Sequence, residues 1–312
     1  MDNRIQKPKT FGQVLDHTFY LSKTHFKSFA LIFLMLLGPL YLVQALLEIF
    51  LGTSILRATS SESGLTWFEE IAMSFDTTVQ EEMPFEAFNI TEIVGLIIIG
   101  LLSMLLIPIG EAAILFAIDK IQKKESFTAK EVVKMAFKRF WPILGSNILF
   151  GILLFVMIIA IAVIMMITGF MGFAMGEIGS IIFSVIVFIM LGAVAVYLLT
   201  RISFYFGAVV LEQNAPGLSR SWSLTKGRFW SIIGLYVVFT IIITVITSGI
   251  EIVTAMLLGY SVLYNLIVNL STLITTLFFA VGYAVIFFDL RVRNDAEDLE
   301  VLVEDYEEKT NL

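Results

Sequence analysis

The chain has 312 residues, of which 58% are hydrophobic and only 15% are charged. Soluble domains are about half apolar and about a quarter charged, so this composition predicts an integral membrane protein. The absence of cysteine excludes disulfides and thiolate metal sites, two histidines exclude a histidine-rich metal site, and a net charge of −7 argues against nucleic acid as a partner.

Six apolar runs are long enough to cross a bilayer, which takes about 20 helical residues. In chain order they are 28–50, 93–118, 142–170, 181–211, 229–258 and 263–288. The runs are continuously apolar rather than alternating, which excludes a membrane β-barrel. The sequence therefore predicts an all-α integral membrane protein, with a six-helix membrane domain over residues 1–293 and a tail over 294–312.

Lysine and arginine are distributed very unevenly between the two sides of these runs. Of the 20 basic residues, 18 lie in the N-terminal segment, the second and fourth connectors or the tail, all on one side. Arg57 lies on the other side, and Arg201 lies within a run. The positive-inside rule therefore predicts a multi-pass protein of the bacterial plasma membrane with both termini in the cytoplasm. We expect the first run to act as an uncleaved anchor.

The connector over residues 51–92 is long and acidic, with eight acids against Arg57. This composition is typical of a solvated loop outside the cell. The alternative is a mouth that collects cations, or a lid that folds back onto the membrane through its aromatic residues.

A short amphipathic segment precedes each odd-numbered run, over residues 11–26, 128–140 and 216–229. Each ends in a basic or histidine residue beside aromatic rings, an arrangement typical of a membrane-interface anchor. These anchors are His25, Phe26, Arg139, Phe140, Trp141, Arg228, Phe229 and Trp230. Each even-numbered run ends in one acid at the inner boundary, namely Asp119, Glu212 and Asp289. The pattern predicts three parallel repeats of an interfacial helix plus a membrane hairpin, although any membrane hairpin can carry such flanks.

Glu111 and Arg201 are charged residues inside apolar runs, where a charge costs at least about 2.5–3.5 kcal/mol on insertion scales. Counting from the boundary acids places both in the inner half of the membrane, so we expect them to pair. The pair is either a structural link between helices or a relay or substrate contact.

The tail carries eight acids between Asp295 and Glu308. Its apolar residues recur at helical spacing, which predicts an acidic amphipathic helix. Such a helix is either solvated or packs against protein.

Three motifs resemble a known family: APGLSRSWSLTKGRFW at 215–230, FDLRVR at 288–293 followed by DLE, and FGQVLD at 11–16. They resemble the membrane domain at the N-terminus of some bacterial glycerophosphodiester phosphodiesterases, and its stand-alone relatives of unknown function. In such proteins, the resemblance implies, the activity belongs to a separate soluble barrel with a catalytic histidine and metal-binding carboxylates. We expect no such barrel here, because no His-Arg pair is present and the chain ends soon after the sixth run.

No motif for a metalloprotease, nucleotide-binding loop or hydrolase elbow is visible, so no enzyme activity and no cofactor are expected. Two functions remain open. One is a scaffold or accessory subunit that binds lipids, or membrane or cytoplasmic proteins, through its basic connectors and acidic tail. The other is a transporter or permease-like protein with a site at Glu111 and Arg201, which requires a solvated central cavity.

Overall fold

The computed structural model describes residues 9–56, 90–172, 176–213 and 215–310, and within them it contains ten helices and no strand. The predicted loop over 51–92 lies mostly outside the described residues. The helices are α1 (Phe11–Thr24), α2 (Phe26–Phe50), α3 (Ile90–Gln122), α4 (Ala129–Lys138), α5 (Phe140–Gly172), α6 (Gly176–Ile202), α7 (Tyr205–Leu211), α8 (Leu218–Leu224), α9 (Phe229–Leu258) and α10 (Val262–Thr310).

Six segments are long and apolar enough to cross a membrane, which confirms the all-α membrane fold. They are α2, α3, α5, α6 together with α7, α9 and the first part of α10. The fourth differs from its prediction as one continuous helix, because it breaks at Ser203 and Phe204. The sixth does not end near residue 288, since α10 continues without interruption to Thr310 and makes the acidic tail an extension of the last membrane helix.

The short helices α1, α4 and α8 come immediately before α2, α5 and α9. The residues that begin the long helices share one backbone conformation: φ and ψ are −109° and 17° at His25, −107° and 18° at Arg139, and −118° and 11° at Arg228. The chain therefore turns in the same way at each of these three residues, which connect a short helix to the long helix that follows it. The order of the helices agrees with the predicted unit, and the threefold repeat itself stays a prediction.

The buried core lies mainly at one end of the bundle, here called the basic end, where α1, α4 and α8 pack. It is formed by the first part of α2, residues 109–118 of α3, nearly all of α7, and residues 277–290 of α10. The most apolar stretches of α5 and α6 contain no buried residue. Such a surface suits a hydrocarbon solvent, in which apolar side chains have no reason to withdraw.

Helix α4 is buried mainly through small residues. Ala129, Val132 and Ala136 are buried, whereas Phe137 is exposed. Small side chains let α4 approach its neighbour α3 closely, and the larger ring is left at the surface. The predicted helix start is present, because the Thr128 hydroxyl accepts a hydrogen bond from the Glu131 N–H at 3.3 Å.

Helix α8 begins at Leu218, two residues after Pro216, where the predicted segment begins. Gly217 precedes it with φ of 77°, a conformation that favours glycine. A Cβ atom at this position would lie 2.4 Å from the Tyr205 carbonyl oxygen. Glycine therefore allows α8 to start directly against α7, where the fourth span is broken.

Candidate functional site

The break between α6 and α7 is stabilised by side chains from α8. The Ser221 hydroxyl donates to the Arg201 carbonyl at 2.8 Å and accepts from the Phe204 N–H at 2.9 Å. The Thr225 hydroxyl lies 3.4 Å from the same carbonyl, and Ser221 and Thr225 are fully buried. A helix can be interrupted at membrane depth only if its released backbone groups find partners. These two hydroxyls supply them.

Side chains from other helices contact further groups at the break. The Tyr283 hydroxyl accepts from the Gly207 N–H at 2.9 Å, in the first turn of α7, where backbone donors lack helical partners. The Tyr236 ring stacks on the ring of Phe204, with 6.1 Å between their centroids. The Tyr205 hydroxyl and the Asn147 amide oxygen are 2.5 Å apart. Side chains from α5, α8, α9 and α10 therefore meet at the break.

Glu111 completes this group, and we call Glu111, Asn147, Tyr205, Tyr236 and Tyr283 the break-site cluster. The Glu111 carboxyl group is within electrostatic range of all three tyrosine hydroxyls. The Asn147 amide nitrogen is buried without a hydrogen-bond partner in the described part of the chain. In its ionised form, a carboxyl group near a helix break can attract a cation.

Asn147 also lines a very small cleft of about 10 Å³, together with residues of α3 and α5 that include Pro108 and Phe140. Its lining is otherwise apolar. Across the residues that the structure describes, no group of three histidine or acidic side chains is arranged to hold a metal ion.

Arg201 does not join this cluster. It lies in the last turn of α6, where its guanidinium packs over the rings of Tyr197 and Trp222 at 5.3 and 5.1 Å. Among the described residues no ion pair links Arg201 to Glu111, in contrast to the expected pair. Helix α6 ends at Ile202, one residue after Arg201, so the chain between Arg201 and Glu212 is not one continuous helix.

This arrangement predicts the outcome of a double substitution. Glu111→Gln and Arg201→Met should each change the apparent thermal midpoint of the purified protein, and the double variant should show the sum of the two changes. Residues without shared partners are additive within about 0.3–0.5 kcal/mol. Recovery of stability in the double variant beyond that margin would show that the two charges do pair.

The predicted anchors differ in their surroundings. Trp141 and Trp230 are the most exposed of them, at 77% and 81%, and each ring lies edge-on to the phenylalanine before it. His25 instead packs beside the rings of Phe29 and Phe127. Burial lowers the pKa of His25, so its imidazole is neutral near neutral pH and the first anchor is not a cation.

Arg139 has a more specific role than an interfacial anchor. Its guanidinium Nη1 donates to the carbonyl oxygens of Val209 and Val210, both at 2.7 Å. These carbonyls belong to the last turn of α7, which has no helical donors of its own. Arg139 therefore fixes the end of α7 to the start of α5.

All three boundary acids form ion pairs at the basic end. Asp119 pairs with Lys123 at 2.7 Å, Glu212 pairs with Arg220 at 2.9 Å, and Asp289 pairs with Arg293 at 2.9 Å. Two of these pairs also connect distant segments. Arg220 reaches Asn294 and Asp295 on α10, while Asp289 accepts from the Lys9 backbone N–H.

Sequence reasoning missed most of the break-site cluster. It singled out Glu111, because a charge in an apolar run is conspicuous. Tyrosine in a membrane run carries no comparable signal. The only local indication was Ser203, which is a polar residue near the end of the fourth run.

The fold defines a multi-pass helical membrane protein that is tied together at one end. Residues 85–309 match the family described as the membrane domain of glycerophosphoryl diester phosphodiesterase, and the chain belongs to this family. This is the family that the three sequence motifs resemble, and the matched part is its membrane domain. No curated protein and no solved structure matches the chain.

Proposed function

We propose that this chain is a non-catalytic membrane scaffold or accessory subunit, which binds lipids and protein partners at its basic end. The observation that carries the proposal is the concentration of packing and ion pairs there. Three short helices, three paired boundary acids and the buried core all lie at this end, whereas α5 and α6 are apolar and outward-facing over their most apolar stretches.

The basic end also presents accessible charge. Lys130, Lys134 and Lys138 lie on the exposed side of α4, and none of them forms an ion pair with another described residue. A rigid surface with exposed lysines suits acidic proteins and anionic lipid headgroups. The tail, as a continuation of α10, extends from the same end and offers acidic groups to a basic partner.

The proposal places the basic end and both termini in the cytoplasm, within the bacterial plasma membrane. Single cysteines at Ser126 and at Ser61, which lies outside the described residues, test this in a chain with no native cysteine. An impermeant thiol reagent on intact cells should label Ser61→Cys and leave Ser126→Cys unlabelled until the cells are opened. The reverse pattern would overturn the orientation.

Partner binding is tested by a photo-crosslinking amino acid at Lys134, which is exposed on α4, and at Ile158, which is exposed on the apolar surface of α5. In living cells, the Lys134 position should give discrete protein adducts and the Ile158 position should give none. Identical patterns at the two positions, or no adduct at Lys134, would contradict a scaffold that works through its basic end.

The break-site cluster favours a second candidate, a transporter or permease-like protein. Broken membrane helices surround the substrate or ion sites of many transporters, and Glu111 lies at such a break. Vesicles containing the purified protein and a pH-sensitive dye test this. Proton movement that the native protein supports and Glu111→Gln does not would favour transport. Equal dye signals from the two proteins would favour the scaffold.

A further inference from the structure

The Arg201 side chain is a half-buried cation with no acidic partner among the described residues. It lies at the end of a membrane helix, where an uncompensated charge that is partly removed from water costs free energy. Arg220, the other half-buried arginine close to it on α8, differs in this respect. It contacts both Glu212 and Asp295. The position of Arg201 therefore calls for an anion that the protein itself does not supply.

The contacts of Arg201 orient its guanidinium but leave donors available. Its Nε donates to the Tyr197 hydroxyl at 3.2 Å. Its Nη1 lies 3.5 Å from both the Trp222 carbonyl and the Thr225 hydroxyl, at the limit of hydrogen bonding. Its Nη2 has no partner in the described part of the chain. Held over two rings, the guanidinium directs its terminal nitrogens toward a ligand that presents anionic oxygens.

The surroundings of this guanidinium are both cationic and apolar. Lys226 and Arg228 follow Thr225 in the chain, are exposed, and form no ion pair with another described residue. On α6, Val194 and Leu198 share the helical face of Arg201 and are exposed. A ligand here meets positive charge at one end and an apolar helix surface at the other.

We infer that Arg201, with Trp222, Tyr197 and the following turn, binds the phosphate of an anionic glycerophospholipid in the membrane leaflet next to the basic end. The phosphate accepts from the guanidinium, and the acyl chains lie along Val194 and Leu198. This site deepens the proposed function, since it identifies a lipid that the basic end would bind.

Native mass spectrometry of the full chain purified in detergent tests the site, with added phosphatidylglycerol and, separately, phosphatidylcholine. The native protein should retain one phosphatidylglycerol molecule most strongly. Arg201→Met should bind it about tenfold or more weakly, the effect of losing one charge-assisted hydrogen bond. Lys23→Met, which removes an exposed cation from the last turn of α1, is the matched control and should bind normally.

Thermal midpoints provide a second measurement, which can be used even if a variant is less stable than the native protein. Added phosphatidylglycerol should raise the midpoint of the native protein, because a ligand that binds only the folded state stabilises it. Arg201→Met should show little of this increase relative to its own lipid-free midpoint. Arg201→Lys keeps the charge but lacks the planar fork, so its increase should be intermediate.

Two results would overturn the inference. One is equal phosphatidylglycerol binding by the native protein and Arg201→Met. The other is displacement of the lipid by inorganic phosphate at comparable concentration, which would identify a soluble phosphate as the ligand. Neither result affects the adducts expected from Lys134, so failure of the lipid site is distinguishable from failure of the scaffold.

Discussion

Replacing Gly207 by alanine should lower the apparent thermal midpoint of the purified protein more than any other single-methyl change proposed here. A Cβ atom at this position would lie 2.5 Å from the ring of Phe287, which is fully buried and has no space into which to move. Overpacking of this kind costs about 1–3 kcal/mol. Fluorescence-detected thermal unfolding in detergent measures the loss.

Gly151→Ala provides the matched control, because a Cβ atom there meets nothing within 4 Å. Alanine is the better helix former by about 1 kcal/mol, so this variant should be neutral or slightly more stable. Adding Phe287→Leu to Gly207→Ala should restore part of the loss by removing the ring that clashes. Equal midpoints for Gly207→Ala and Gly151→Ala would show that α7 and α10 are not in close contact.

Arg139→Met should also destabilise the protein strongly. The guanidinium makes charge-assisted bonds to the carbonyl oxygens of Val209 and Val210. Both residues are only 1% exposed, so water cannot replace the guanidinium as the hydrogen-bond donor. Charge-assisted bonds contribute about 1.5–3 kcal/mol, so the expected loss is on the order of 3 kcal/mol. The measurements are the thermal midpoint and the yield of folded protein in detergent.

Arg228→Met is the control, since Arg228 has nearly the same backbone conformation, begins α9 as Arg139 begins α5, and is exposed. It makes no hydrogen bond through its side chain to another described residue, so its removal should change the midpoint little. Arg139→Lys should recover part of the stability, because lysine can still donate to one carbonyl. Indistinguishable midpoints for Arg139→Met and Arg228→Met would refute the role of Arg139 at the end of α7.

These two sites show why α7 could not be foreseen. Its sequence continues the fourth apolar run, and nothing in 181–211 is a strong helix breaker. The helix stops at Ile202, and the Ser221 hydroxyl, on a later helix, bonds to the Arg201 carbonyl and the Phe204 N–H that the break releases. The same break sets Arg201 against α8, beside Trp222, instead of along a continuous helix.

The sequence by itself determined the class of protein, the six spans and the short helices before the odd-numbered spans. Each of these depends on local properties, namely the length of an apolar run or helical periodicity over a few turns. The threefold repeat and the side on which the basic end lies stay predictions. They depend on comparing distant segments and on the surrounding membrane.

Only the tertiary structure decided the composition of the break-site cluster and the partners of Arg139 and Arg201. Tyr205 meets Asn147 across 58 residues, and Gly207 meets Tyr283 across 76. Inside a membrane, the hydrophobic effect does not select which polar groups meet, because lipid and apolar side chains are alike as solvents. Packing of small residues and the need of each released backbone group for a partner decide it, and both depend on helices that are far apart in the chain.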